Sequence, residues 1–308
     1  VSVPSDALNV VLGQGGGDRA PLDETRAASR LGLVGRRFVQ RRLALAGLVA
    51  IALLFLLAFA GPHVGQWSYT EHDFESFQQA PSASHWFGTT KTGADVFALT
   101  MRGMQKSLII GLLVALISTS LAALVGAFAG YVGGWVDRVL MWVVDLLLVI
   151  PAFLIVAILS PTFRGKTWLL FVVLLAAFLW MVTARIVRGM TISLREREYV
   201  LAARYMGVST PRIILRHVLP NISSLLIVDA TINVSAAIIA ETGLSYFGFG
   251  VQPPDVSLGT LIAAGTNSAT TFPWLFWFAA GLLVATVLAV NVVGDGLRDA
   301  IDPASGGR

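Results

Sequence analysis

Three carboxylates stand inside otherwise apolar stretches of this 308-residue chain: Asp145, Asp229 and Glu241. A charged side chain at the centre of a bilayer costs about 2.5–3.5 kcal/mol on insertion scales, so it faces protein, water or cargo rather than lipid. Asp229 and Asn233 are four residues apart and share one helix face. Such a pair suits the backbone or amino terminus of a passing solute, and equally a buried hydrogen bond to a neighbouring helix. Asp145 follows Arg138 by seven residues, near one mouth of its stretch. Glu241 ends its own stretch, where an external gate would lie. These four residues, Asp145, Asp229, Asn233 and Glu241, are the candidate wall of a translocation path, and a structural network is the alternative for each.

Catalytic chemistry is not visible in the sequence. The histidines at 63, 72 and 85 match no common zinc spacing. The chain has no cysteine, which excludes disulfides, thiolate metal sites and thiol nucleophiles. The glycine run Gly15–Gly17 lacks the following Lys and helix of a phosphate cradle. We therefore expect no metal, no cofactor and no enzymatic step in this chain.

The elements that must position these residues are membrane helices. The chain is 56% hydrophobic and 13% charged, against about 25% charged for a soluble domain. Its mean hydropathy is +0.75. A net charge of +4 is too small to argue for nucleic acid. Six stretches meet the roughly 20 apolar residues that a spanning helix needs: 43–60, 108–129, 139–160, 168–184, 222–240 and 272–293. With the N-terminus inside, 17 of the 22 Lys and Arg fall on the inner side and 5 on the outer. The positive-inside rule then places both termini in the cytoplasm.

The expected organisation is a disordered cytoplasmic tail over 1–35, a first span with its basic flank over 36–62, and an external loop over 63–106. A core of five spans follows over 107–293, with a cytoplasmic loop at 190–221 and a cytoplasmic tail at 294–308. The first apolar run begins only at residue 43, so it reads as an uncleaved anchor. Aromatics in the external loop, Trp67, Tyr69 and Trp86, suit a membrane interface. Pro151 should kink the third span, and Gly126 with Gly130 allows close helix approach.

The loop at 190–221 is more than a charged connector. A helix is expected from about Glu198 to Met206, ended by Gly207 in a left-handed turn. Ser209 or Thr210 then caps a second helix with Pro211 in its first turn. Ile213, Ile214, Leu215, Val218 and Leu219 give that helix an apolar face. Pro220 is expected to break it, and Asn221 to cap the next span. A capped helix pair between two spans is built to transmit force.

This segment resembles the coupling loop of ABC importer permeases, Glu-Ala-Ala, three residues, Gly, nine residues, Ile, one residue, Leu-Pro. Ala202, Ala203, Gly207, Leu219 and Pro220 fall in register, with Leu201 in the Glu position and His217 in the Ile position. Other segments in the same order are similar to the C-type (OppC/DppC-type) permease subunits of oligopeptide and dipeptide importers, most of all actinobacterial ones. They include His85–Phe97, Gly130–Arg138, Asp145 with Ile150-Pro151, Glu241–Gly250 and Gly294–Pro303. The resemblance implies an all-α, type I importer (MetI-like) permease fold in a bacterial cell membrane. It implies a homologous second permease (OppB-like) and an extracytoplasmic peptide-binding protein (OppA-like). Two ATP-binding subunits (OppD/OppF-like, or one fused ATPase) would hold ATP and Mg. The coupling residues it implies are Glu198, Leu201, Ala202, Ala203, Tyr205, Gly207, Arg212, Ile214, His217, Leu219 and Pro220. Two other readings are an ion- or proton-coupled carrier and a similar permease for nickel or another small solute.

Overall fold

The computed structural model describes residues 30–160 and 168–301. The expected tail through residue 29, with Gly15–Gly17, lies outside the described residues, as do 161–167 and 302–308. The described chain is helical: α1 (Arg30–Gln40), α2 (Arg42–Val64), α3 (Val96–Val132), α4 (Gly134–Val149), α5 (Ala152–Leu159), α6 (Leu169–Leu179), α7 (Met181–Arg195), α8 (Glu198–Tyr205), α9 (Thr210–Ile213), α10 (Leu219–Tyr246), α11 (Leu258–Gly265) and α12 (Trp274–Ile301). A π turn, Ile214–Val218, joins α9 to α10.

Among the described residues four helices are long and apolar enough to cross a membrane, or six if each of two bent pairs counts as one span. Both bends have a local cause. Between α4 and α5 the chain turns by 73°. Ile150 is extended there (ψ 124°), because the residue before a proline is pushed out of helical conformation and Pro151 has no N–H to give. Between α6 and α7 the bend is 46°. The Trp180 indole N–H takes the carbonyl of Ala177 at 2.9 Å, the acceptor that a continuous helix offers to the N–H of Met181. A side chain inserted in the ladder bends a helix.

One span is much longer than its apolar run. Helix α3 has 37 residues, about 55 Å at the helical rise. It begins at Val96, so the connecting segment is shorter than the expected loop of 63–106. The start is fixed by Asp95, whose carboxylate accepts from the Ala98 N–H at 2.7 Å. Its polar first turns are satisfied by neighbours rather than solvent. Gln105 donates to the Ala58 carbonyl at 2.8 Å, and Lys106 pairs with Asp255 at 2.7 Å while lying over the Trp168 ring. A search for uncharged runs stops at such residues.

The expected interface aromatics have another use. Trp67 donates to the Ser84 carbonyl and stacks on His85, 4.9 Å between centroids. His85 is fully buried, with Nδ1 2.9 Å from Asp95 and Nε2 3.3 Å from Asp73. The backbone N–H of Glu75 leads in holding the Asp73 carboxyl below its ordinary range, with the Ser76 hydroxyl and His85 adding to it. That stabilisation is present at neutral pH and is lost as the pH falls below the carboxylate range, about 4.

Helix α3 is the axis of the fold, packed on α7, α10, α6 and α2. Its closest approach is to α7. A Cβ on Gly126 would sit 2.4 Å from the Ala184 carbonyl oxygen, and one on Gly130 2.6 Å from that of Arg188. Large side chains elsewhere face outward: Leu116, Leu53 and Leu288 are each more than half exposed, as suits a lipid solvent. In lipid the driving force between helices is packing itself, so small residues mark the seam. Because backbone atoms are what a side chain would strike, Gly130→Val must part α3 from α7. The expected cost is about 1–3 kcal/mol, measured as a lower melting temperature of the detergent-solubilised protein. The same change at Gly189, where nothing lies within 4 Å, serves as control.

Candidate functional site

The first candidate site is the elbow. Helix α8 ends in a motif read directly from its hydrogen bonds. Gly207 has φ +79°. The Gly207 N–H bonds the Arg204 carbonyl at 3.0 Å and the Val208 N–H bonds that of Ala203 at 3.1 Å. This is the paired 5→2 and 6→1 closure of a Schellman turn, with Val208 packed into the same cluster as Ala203. The turn is stiff, and only a residue at ease with positive φ makes it without strain.

Beyond the turn the structure corrects three expectations. Ser209 occupies the N-cap position of α9 with no side-chain cap bond. Pro220 does not break the helix. From Thr210 to Tyr246 the chain forms one 37-residue candidate span. A proline needs its missing N–H and its ring accommodated, and the π turn does both by widening the helix just before it. Within that turn the Leu219 N–H reaches back to Ile214. Asn221 is inside the helix rather than at its cap, and its side chain donates to the His217 carbonyl at 2.7 Å.

The elbow's residues divide between an inner and an outer face. Ala203, Ile213, Ile214 and Val218 are buried, and cluster with Val200, Ala127, Tyr131, Val187 and Ile222. Ala203 and Ile214 therefore clamp the elbow to α3 and α7 instead of offering a surface. Leu215, expected on the apolar face, is 58% exposed. Glu198, Ala202, Gly207, Arg212 and Pro220 are exposed, and Leu201, His217 and Leu219 are half-buried. The tip presents Tyr205 and Met206, 86% and 76% exposed. Arg195, just before the elbow, donates to the carbonyls of Gly130 and Tyr131 at the end of α3, where a cation also meets the negative helix end.

The second candidate site is the intramembrane polar centre. Asp229 accepts from Thr183 at 2.7 Å, from Thr119 at 3.1 Å and from Asn233 at 2.9 Å. One carboxylate thus joins α10 to α3 and α7. Thr119 and Thr183 were not singled out in the sequence. Lone threonines in apolar helices carry no signal until their acceptor is known, since they also bond their own i−4 carbonyls, as Thr191 does to Val187.

The other two candidate wall residues lie elsewhere. Asp145 on α4 pairs with Arg185 on α7, with both side chains at least half exposed. A second pair joins the same helices one step along: Arg188 grips Asp137 through two nitrogens, one at 2.6 Å. Glu241 is fully buried, accepting from Ser257 at 2.6 Å and from Ser245. It pins α11 to α10, as the Ser107 hydroxyl does α11 to α3 by accepting the Leu258 N–H. Asp145 and Glu241 are therefore not brought together with Asp229 and Asn233, and Glu241 does not face an opening in this conformation.

Removing the acceptor at 229 takes away the shared partner of Thr119, Thr183 and Asn233 in a low-dielectric interior, with only Asn233 keeping a second acceptor among the described residues, Thr119 Oγ1 at 3.3 Å. Asp229→Ala is expected to cost about 2–4 kcal/mol of stability, with loss of folded protein in detergent. Asp229→Asn keeps one acceptor oxygen and should cost less. Unchanged melting of Asp229→Ala would show that the network does not hold the three helices. Against known proteins, residues 122–306 match the family model described as binding-protein-dependent transport system inner membrane component. Residues 29–81 match the N-terminal TM domain of oligopeptide transport permease C. The chain is 58% identical over 282 residues to the oligopeptide transport system permease protein OppC of Mycobacterium tuberculosis, covering 91% of this chain and 97% of that protein. It is 39% identical to a putative peptide permease protein of Brucella suis (87% and 89% covered) and 37% identical to the OppC of Bacillus subtilis (87% of each). The chain belongs to the family of binding-protein-dependent transport system inner membrane components, as an OppC-like permease of the actinobacterial type.

Proposed function

We propose that this chain is one of two permease subunits of an ATP-driven oligopeptide importer, and that its elbow is the part on which an ATPase subunit pushes. The observation that carries the reading is the pairing of a rigid base with an exposed tip. The Schellman turn and the buried cluster lock α8 and the start of α10 to α3 and α7. Tyr205 and Met206 stand out from it, and an exposed aromatic on a stiff mount is the type of side chain that dominates interface energetics. Identity to oligopeptide permeases over nine-tenths of the chain supports the cargo class.

In this reading there are six spans with both termini in the cytoplasm. The second permease (OppB-like) completes the path, an OppA-like binding protein delivers peptide, and the ATPase pair (OppD/OppF-like, or fused) binds ATP and Mg. Closure of the ATPases moves the elbow as one body. The motion enters α10 through the π turn without a joint, and enters α7 through Arg195 and the buried cluster. Asp229 lies within α10 and accepts from Thr183 near the start of α7, so the polar centre and the elbow are connected by continuous helix and hydrogen bonds.

Tyr205→Ala with Met206→Ala tests the contact. Loss of two central anchors, at about 2 kcal/mol or more each, should lower ATPase affinity roughly 700-fold and abolish ATP-driven peptide uptake in reconstituted vesicles. Gly207→Ala tests the mount. Nothing lies within 4 Å of its Cβ, so only the positive φ is penalised, about 1–2 kcal/mol, with partial loss of coupling. Wild-type binding and uptake in the double variant would rule out the elbow as the docking point. Peptide uptake by the permeases without ATPase subunits would favour the ion-coupled reading, and uptake of nickel but not peptide would change the cargo.

A further inference from the structure

We infer that the corner between α1 and α2 is a binding site for anionic lipid headgroups. Helix α1 precedes the first span and contains no acidic residue. At Arg41 the backbone leaves helical conformation (φ −91°, ψ 107°), so α1 turns away from the span instead of prolonging it. The corner is anchored from inside. Phe38 and Ala44 are buried against Val293 and Ala300 of α12. Gly296 permits this, because a Cβ there would lie 2.3 Å from that of Ala44.

With that face taken, the outward face carries Arg36, Arg37 and Arg42, all exposed. They form no ion pair among the described residues. The nearby acids do not cancel them: Asp299 is engaged by Arg41, and Asp295 lies across a groove of about 370 Å³ that Arg41, Arg42 and Asp299 also line. Beside the arginines, Val39 is 60% and Leu43 79% exposed. Cations flanked by bare apolar side chains at the end of a span match a charged headgroup layer over acyl chains. The chemistry selects a lipid phosphate that carries net negative charge. A zwitterionic headgroup brings an ammonium that three unpaired guanidinium groups would repel. This placement needs only that α2 spans the bilayer, and holds whichever side the N-terminus faces and whatever the cargo is.

The absence of cysteine from the chain allows a clean probe. Gln40→Cys, labelled with an environment-sensitive fluorophore, is reconstituted with its partner subunits in phosphatidylcholine vesicles with and without about 30 mol% phosphatidylglycerol. The expected result is a blue-shifted emission in the anionic vesicles only, weakened by high salt. Arg36→Gln with Arg37→Gln and Arg42→Gln should weaken the attraction by up to about fivefold per charge removed, leaving no shift at about 30 mol% phosphatidylglycerol. The three Lys replacements should restore most of the response, which separates charge from misfolding. Identical spectra in both vesicle types overturn the proposal. So does a shift that appears only on adding the ATPase subunits, which would assign the arginines to a protein contact.

Discussion

The seam between α3 and α7 is the constraint on which the rest depends. Two glycines one turn apart let carbonyls of α7 approach α3 to a distance that no side chain would permit. Both candidate sites hang from α7 or cross to it. Thr183 reaches Asp229 from it, Arg185 and Arg188 hold α4 to it, and Arg195 caps α3 from its end. The elbow begins two residues beyond its last turn. In a lipid solvent, where apolar contact between helices gains little over contact with acyl chains, a close-packed seam reinforced by charged hydrogen bonds is the available way to make several helices move together.

The polar groups follow the same logic. A carboxylate in the membrane is costly unless its neighbours satisfy it. Asp229 has three donors from three helices, so its cost is offset only when those helices are correctly assembled. That makes it a specificity device for assembly as well as a candidate for contact with cargo. Glu241, towards the other end of α10, is held through one oxygen by two serine hydroxyls that join α10 to the start of α11, while its second oxygen is buried with no hydrogen-bond partner among the described residues. The two carboxylates bracket the half of α10 that lies between them, while the π turn sets its other half. Helix α10 is thereby fixed at three points along its length, and displacement of one end must be felt at the others.

Much of this architecture was legible in the sequence because it rests on local or compositional rules. Apolar runs mark the spans, Pro151 marks a break, Gly207 marks a left-handed turn, and the Gly126/Gly130 spacing marks a close seam. What was not legible rests on distant partners. The first turns of α3 contain Arg102, Gln105 and Lys106, and become helical because Ala58 and Asp255 receive the last two. Helix α1 carries four basic or amide groups in eleven residues, yet it folds because Gly296, some 260 residues away, leaves room for Ala44 and Phe38. Pro220 was misjudged for a different reason. A proline ends a helix only when the ladder before it keeps α spacing, and no single-residue signal announces a π turn.

The departures of the elbow from the family pattern acquire a physical meaning from their placement. Leu201 is half-buried, on the helix that also buries Val200 and Ala203. An apolar side chain there presents no charge. The exposed carboxylate of the same helix is Glu198, in its first turn, where an acid also complements the positive end of the helix dipole. His217 lies inside the π turn, and its carbonyl is taken by the Asn221 side chain. The imidazole is half-buried. Leu201 removes a charge from its position, whereas His217 places an imidazole where the pattern has an apolar side chain. A partner that docked here would meet the exposed Tyr205 and Met206 on an elbow that also exposes Arg204, Arg212 and Arg216. Its complementary groove must be apolar at the centre and acidic at the rim.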